Sequence, residues 1–256
     1  MDLSIITPSR ASKDQVFFLA RLIRSITSQS IADNVTFELI VGLDKGVGIP
    51  SLSNSDELDI KFVHSNGTSQ AKALNAAVNE AVGRYLFFIE DDDQWLEQFI
   101  ELSLKTHDAN DNAFVSSTQL EVDGNGEFLR INDFPTPSGW SISRELFEEI
   151  GPFNDDYKYH LDNEWLGRLN SKNIKRFHLL EQTAPLQIEY ANDVRPLLAK
   201  VMRSSSVARH SLPYPLVLRL VHANSGMATI SQNEDARKRS EFELEKLKLE
   251  FGHIPC

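Results

Sequence analysis

The chain of 256 residues carries 26 basic against 37 acidic side chains, a net charge of −11, and 41% hydrophobic residues. That is enough apolar material for one large core or two small ones, in a field of the wrong sign for non-specific nucleic-acid binding. The one cysteine, Cys256, excludes an intrachain disulfide. No basic leader with a long apolar stretch opens the sequence, and no window reaches the roughly 20 apolar residues of a spanning helix. The expected location is cytoplasmic, with peripheral contact at the inner face of a membrane left open.

Leu3-Ser4-Ile5-Ile6-Thr7 reads as a buried strand stopped by Pro8. Gln15 to Thr27 places Val16, Leu19, Leu22, Ile23 and Ile26 at helical spacing. Phe37 to Val41 and Ile60 to Val63 are further strands, the first running into Gly42-Leu43-Asp44. Ser69 to Val82 is an alanine-rich helix with Gly83 as its expected stop. Tyr85-Leu86-Phe87-Phe88-Ile89 is a continuous apolar run, the signature of a strand covered on both faces. Glu90-Asp91-Asp92-Asp93 follows at once, and Trp95 to Leu104 reads as a helix. The alternation predicts an α/β fold with a mostly parallel sheet flanked by helices. In such sheets ligands bind at the carboxyl ends of the strands. Pro8, Ser9, Arg10, Asp44 and the acid run all fall there.

The texture changes after residue 112. Phe114 to Val122 reads as one strand, turned back through Asp123-Gly124-Asn125-Gly126 into Phe128 to Ile131. Ser143 caps a short helix, Arg144 to Ile150, closed by Gly151-Pro152. His160 to Asn170 is helical and Ile174 to Leu180 strand-like. The stretch from Asp193 to Val221 reads as helices broken at Pro213 and Pro215. Glu234 to Phe251 is an amphipathic helix offering Phe242, Leu244, Leu247, Leu249 and Phe251, without a sustained heptad.

Four consecutive carboxylates at the edge of a buried strand repel one another, and burial raises the cost. A divalent cation removes the conflict. Mg²⁺ and Mn²⁺ take oxygen ligands, often one or two carboxylates completed by substrate phosphates. The alternative is an acidic helix N-terminus, where carboxylates meet the helix dipole; that accounts for Asp93 but not for the acids before it.

Ser4-Ile5-Ile6-Thr7-Pro8-Ser9-Arg10, Phe37 to Asp44, Gln70-Ala71-Lys72-Ala73-Leu74-Asn75 and Tyr85 to Asp93, in this order and spacing, resemble the family 2 glycosyltransferases of the GT-A fold over roughly residues 3 to 170. The resemblance implies a mixed, mostly parallel Rossmann-like sheet with a helical C-terminal extension. Residues 1–112 would form the nucleotide-sugar-binding half, 113–192 the acceptor-side half and 193–256 the extension. It implies an inverting hexosyltransferase that uses a nucleotide-sugar donor of the UDP class, a divalent cation (Mn²⁺ or Mg²⁺) and a carbohydrate or lipid-linked acceptor in polysaccharide or glycan assembly.

Position by position, the resemblance implies that Pro8, Ser9 and Arg10 line the nucleotide pocket and Asp44 accepts from the base. Lys72 approaches the phosphates, and Asp92 ligates the metal as the last acid of the DXD motif. Glu90 stands where the family more often has Asp, near the ribose or a metal-bound water; Asp91 lies between them, in the substrate group. Family members draw their base from a segment downstream. In His160-Leu161-Asp162-Asn163-Glu164, Asp162 matches the family's catalytic Asp, Leu161 replaces its Glu, and Glu164 is the second candidate. Asp162 is also a residue type that caps helices. Trp140 and Trp165 offer a sugar platform or plain core. His222, in Arg219-Leu220-Val221-His222, matches a stretch in some relatives where a histidine completes the metal site; the structural alternative stays open.

The other histidines show no ligand spacing. The basic stretch Lys200 to Arg209, with Arg195 and Arg203, suits either a solvated face or an anionic lipid. The last helix suits packing on the domain or a homodimer. Two alternatives to an active transferase remain. One is a catalytically silent nucleotide-sugar- or metal-binding module, favoured by Glu90 and Leu161. The other is a sugar-nucleotide pyrophosphorylase, disfavoured because Thr7-Pro8-Ser9-Arg10-Ala11 lacks glycine.

Overall fold

Alternate residues of a strand face opposite sides of its sheet, and in the central strands of this chain both sides are apolar. The computed structural model of the chain describes residues 1–31, 34–52, 58–132, 134–181, 207–212, 216–223 and 225–256. Its first half runs β1 (Leu3–Ser9), α1 (Lys13–Thr27), β2 (Phe37–Leu43), β3 (Ile60–His64), α2 (Gln70–Glu80), β4 (Tyr85–Phe88), β5 (Gln94–Trp95) and α3 (Phe99–Asp108). Next come β6 (Ala113–Ser117), β7 (Gln119–Val122), β8 (Phe128–Asn132), β9 (Trp140–Ser143), α4 (Arg144–Ile150), α5 (Leu161–Ser171) and β10 (Lys175–Glu181). The chain closes with β11 (Val207–Leu212), β12 (Val217–Leu220), α6 (Gly226–Gln232) and α7 (Glu234–Phe251).

The main sheet has eight strands in the order β11-β10-β6-β9-β4-β1-β2-β3. All its pairings are parallel except those of β9, which runs antiparallel to β4 and β6. Leu3, Ile5, Leu39, Val41, Tyr85 and Phe87 face one side, under Leu19, Leu22 and Ile26 of α1 and Phe99 and Ile100 of α3. Ile6, Ile40, Leu86 and Phe88 face the other, against α2, α4, α5 and Leu247 of α7. The expectation of a mostly parallel sheet flanked by helices is therefore met. A second sheet, β5-β12-β7-β8, stands beside it.

Several elements differ from the sequence reading, each for a tertiary reason. Trp95 does not open a helix. It lies in β5, fully buried, its indole N–H donating to Ser138 O at 2.6 Å, and the helix starts at Phe99. The apolar run 114–122 is two strands: β6 pairs β10 in the main sheet and β7 pairs β12 and β8 in the second. Residues 113–122 are buried throughout, so no change of pattern marks where the chain leaves one sheet for the other. The helices read between 193 and 221 are strands β11 and β12 wherever that stretch is described, so the C-terminal extension is not wholly helical. Residues 182–206 and 213–215, with Arg195, Lys200, Arg203, Pro213 and Pro215, lie outside the described residues. In α7, Leu247 is buried, whereas Phe242 and Leu249 are exposed.

Gly83 is not the stop of α2. The helix ends at Ala81 in extended geometry (φ −68°, ψ 141°). A Cβ on Gly83 would stand 2.3 Å from Leu3 C and 2.4 Å from Ser4 N, so glycine here lets the chain cross the start of β1. A left-handed stop would accept asparagine; a close approach would not. Gly83→Asn and Gly83→Ala are both expected to destabilise the fold by about 1–3 kcal/mol or more, read as the midpoint of urea unfolding. An unchanged midpoint in Gly83→Asn would restore the helix-stop reading.

Candidate active site

Strands β4, β1 and β2 are neighbours in the sheet, so their carboxyl ends open on one crevice. Thr7 to Ser9 extends past the end of β4, because Ile6 is level with Phe88. Antiparallel β9 brings its amino end to the same edge, where Trp140 is level with Phe88. This puts Ser138, in a 3₁₀ turn over Pro137–Gly139, beside the acids.

Ser138 works in both directions. Its hydroxyl accepts from Glu90 N at 3.0 Å and donates to Asp93 Oδ2 at 2.5 Å. The other Asp93 oxygen accepts from Leu220 N at 2.9 Å. Asp93 is thus buried and tied to β12 rather than opening a helix, which corrects the helix-terminus alternative. Glu90 is half-buried and accepts from Gln70 Nε2 at 2.7 Å. Asp92 Oδ2 lies 2.7 Å from His222 Nε2. Asp91 is buried and bonded to the Ser9 hydroxyl, and its Oδ2 has no hydrogen-bond partner among the described residues.

The acids pay for this crowding in proton affinity. Burial, then the charge of Asp92, raises the carboxyl of Asp91 to about 8. The same two causes raise Glu90 and lift Asp93 well above the carboxylate range. The hydrogen bond to Asp92 raises His222 above its ordinary value. Arg219, on β12, is the facing cation. Burial works against its charge, but Asp93, Glu90 and Glu121 together outweigh that and raise its pKa. Its Nη1 is 2.8 Å from Glu121 Oε1.

Ligand oxygens of Glu90, Asp92 and Asp93 lie within 4.8 Å of one another. Three hard carboxylate donors, too close to stay charged unaided, fit a divalent cation. Among the described residues His222 is outside this group; it touches Asp92 instead.

The remaining candidates divide. Asp44 is half-buried just past β2, raised by burial, with Arg10 opposing the shift. Pro8 is half-buried, Ser9 buried and Arg10 exposed at the end of β1. Asp162 lies half-buried in the first turn of α5, and its charge adds to the causes that raise Glu90, so the two carboxyls are within electrostatic reach of one another. It is raised by burial, opposed by a hydrogen bond from Asn163 N and by His160. It does not cap the helix, whose N-cap is His160.

Glu164 is turned elsewhere. It is buried, with Oε1 and Oε2 accepting from Arg168 at 2.8 and 2.9 Å. Lys72 is paired with Asp155 at 2.8 Å rather than standing free for a phosphate. Trp140 and Trp165 have no exposed surface and stack in an aromatic cluster with Phe114, Phe147 and Phe153. A ring without accessible surface offers no sugar platform, so both are core.

Ser138, Gln70 and Arg219 did not stand out in the sequence. Ser138 belongs to no motif, and Arg219 enters the sequence reading only beside His222. A cavity of about 280 Å³ lined by Arg84, Tyr85, His107 and Arg144 lies at the other end of β4, away from the acids.

The sequence model described as "Glycosyl transferase family 2" matches residues 4–167. An uncharacterized glycosyltransferase of Rickettsia felis is 26% identical over 111 residues, 42% of this chain and 18% of that protein. Another from Rickettsia bellii is 28% identical over 131 residues, 50% of this chain and again 18% of the relative. The matches thus take in less than a fifth of these relatives' length. Among solved structures, S. aureus TarS 1-349 in complex with UDP superposes with a TM-score of 0.57 at 13% identity, covering 98% of this chain and 72% of that one. The same TarS fragment with UDP-GlcNAc gives 0.56 at 11% identity, over 98% and 73%. At such identities the likeness is one of fold.

The raised carboxyls fix a sign for pH dependence. Asp91 keeps its proton to about pH 8 when folded but only to its ordinary 3.8 when unfolded, so its contribution to stability falls as pH rises through that window. His222, raised by Asp92, acts in the same direction, its contribution being lost as pH passes its folded value. In EDTA, Asp91→Asn is expected to melt progressively higher than the unsubstituted protein as pH goes from 5 to 8. A melting difference that stays flat over this range would contradict the buried acid.

Proposed function

This chain belongs to glycosyl transferase family 2, and we propose that it transfers a sugar from a nucleoside-diphosphate donor to a hydroxyl acceptor with inversion at the anomeric carbon. One observation carries the reading. Glu90, Asp92 and Asp93 bring ligand oxygens within 4.8 Å of one another, a group suited to a cation-bound diphosphate, and Asp162, far along the chain, lies within electrostatic reach of Glu90 as a candidate base. The donor half lies within 1–112 and the acceptor side within 113–192.

In this proposal Asp44 accepts a hydrogen bond from the base, and Ser9 and Arg10 flank the nucleotide. Glu90, Asp92 and Asp93 would hold Mn²⁺ or Mg²⁺, which when bound would neutralise charge on the leaving diphosphate. His222 holds Asp92 in orientation from outside the metal group. Asp162 takes the acceptor hydroxyl proton. The freed oxygen forms a bond to the sugar C1 as the C1–O bond to the diphosphate breaks, its electron pair leaving on the phosphate oxygen. Burial raises Asp162 above its ordinary carboxylate value, the direction that strengthens a general base. Glu164 keeps α5 in place through Arg168.

A uridine donor is favoured because the fold neighbour TarS was solved with UDP and with UDP-GlcNAc. The acceptor is a carbohydrate, free or lipid-linked, in glycan assembly. Among the described residues no helix is long and apolar enough to cross a membrane.

A thermal-shift screen of UDP-sugars with and without Mn²⁺ tests donor binding, since a ligand of the folded state raises its melting point by mass action. Asp92→Ala is expected to abolish the Mn²⁺-dependent part of that rise. Asp162→Asn is expected to keep it while lowering kcat for transfer by about 10²–10⁴-fold. Full transfer activity in Asp162→Asn would remove the base assignment. Donor binding with no turnover by the unsubstituted protein across an acceptor panel would favour a silent binding module.

A further inference from the structure

The segment that delivers Asp162 is held from outside the family match, by α7. Glu243 has no exposed surface, and its carboxylate is saturated. Oε1 accepts from Lys158 N at 2.8 Å and from Arg239 Nε at 2.6 Å. Oε2 accepts from Tyr159 N at 2.9 Å and from His160 N at 3.2 Å. A carboxylate offers about four acceptor sites, and here each meets a donor. Three of these donors are consecutive backbone N–H groups that end at the N-cap of α5, two residues before Asp162.

The neighbouring contacts reinforce the hold. His160 lies with Nε2 2.7 Å from Ser240 Oγ of α7 and Nδ1 3.2 Å from Asn163 Oδ1 of α5, so its ring bridges the two helices. Arg239 also donates to Asp156 O. The helices meet closely at Gly167, where a Cβ would stand 2.7 Å from the Phe251 ring. A fold needing only to dock a surface helix would not require a buried, fully bonded carboxylate, since apolar packing does so at lower desolvation cost. What a carboxylate supplies and an apolar side chain cannot is a fixed direction for three peptide N–H groups.

We propose that Glu243, aided by Ser240, is a positioning residue for Asp162: it locks the backbone of residues 158–160 so that the Asp162 carboxylate stands at a fixed place facing the acceptor side of the crevice. The C-terminal helix is then part of the catalytic apparatus. The proposal rests on the reading of Asp162 as the base.

Glu243→Gln keeps the shape but sets an NH₂ group against peptide donors. Hydrogen exchange at Lys158, Tyr159 and His160 is expected to quicken at least about tenfold in this variant, with the strands unaffected. UDP release from a panel of UDP-sugars with Mn²⁺ and sugar acceptors should show kcat lowered by about 10–100-fold, with the Kd for UDP unchanged. Added to Asp162→Asn, the same substitution should cost no further activity, because both remove one function. Ser240→Ala, which deletes only the His160 contact, should show the same pattern in smaller measure, and it decides the matter if Glu243→Gln does not fold.

Unchanged exchange at 158–160, an unimpaired kcat, or an equal further loss in the Asp162→Asn background would each overturn the positioning role. A fully active Asp162→Asn, or no turnover by the unsubstituted protein, overturns the base reading and the positioning role with it. A silent Asp162→Asn beside an unimpaired Glu243→Gln overturns the positioning role alone.

Discussion

The structure is organised around carboxylates held together where a buried strand ends. Phe87 and Phe88 have essentially no exposed surface, and Glu90 to Asp93 follow at the end of that strand, Asp91 and Asp93 buried and Glu90 and Asp92 half-buried. Four negative charges at such a place are unfavourable alone, and the surrounding groups answer that constraint. Ser138 bonds both ends of the run, Leu220 N takes an oxygen of Asp93, His222 meets Asp92, and Arg219 supplies fixed positive charge. What remains uncompensated is the space among Glu90, Asp92 and Asp93, the right chemistry for a divalent cation.

The compensation comes largely from segments that the family model does not reach. It ends at residue 167, whereas Arg219, Leu220 and His222 belong to β12 and the residues just after it, and Glu243 belongs to α7. The chain folds back twice onto the family core: once at the acids, through the second sheet, and once behind Asp162, through the last helix. The two returns serve the two sides of the proposed reaction. β12 brings Arg219 and Leu220 N to the acids, and α7 binds the backbone of residues 158–160 ahead of Asp162.

Two carboxylates that the sequence ranks as first and second candidates for one role show how environment separates them. Asp162 and Glu164 are two positions apart on α5. Glu164 turns into the protein and is neutralised by the bidentate Arg168 contact. Asp162 accepts from Asn163 N and has no arginine partner among the described residues, and burial raises its proton affinity. Trp140 makes the same point for aromatic residues: its ring was equally readable as platform or core, and close packing with Phe114, Phe153 and Trp165 makes it core.

The sequence by itself determined the first half of the fold, and much of the site. Short apolar runs placed β1, β2 and β4, helical spacing placed α1 and alanine richness α2, because burial on one face or both leaves those local patterns. The strand ends at Arg10, Asp44 and Glu90 then followed from the parallel order of the sheet. Tertiary structure alone decided that Trp95 is a strand residue, that the run from 113 to 122 divides between sheets, and that β12 is a strand at all. Each depends on a partner strand distant in sequence, which local periodicity does not register. It also decided how the acids and the loop before Asp162 are held, since that turns on Ser138, Arg219 and Glu243, residues whose side chains acquire a role only when folding brings a buried donor or acceptor within hydrogen-bond reach.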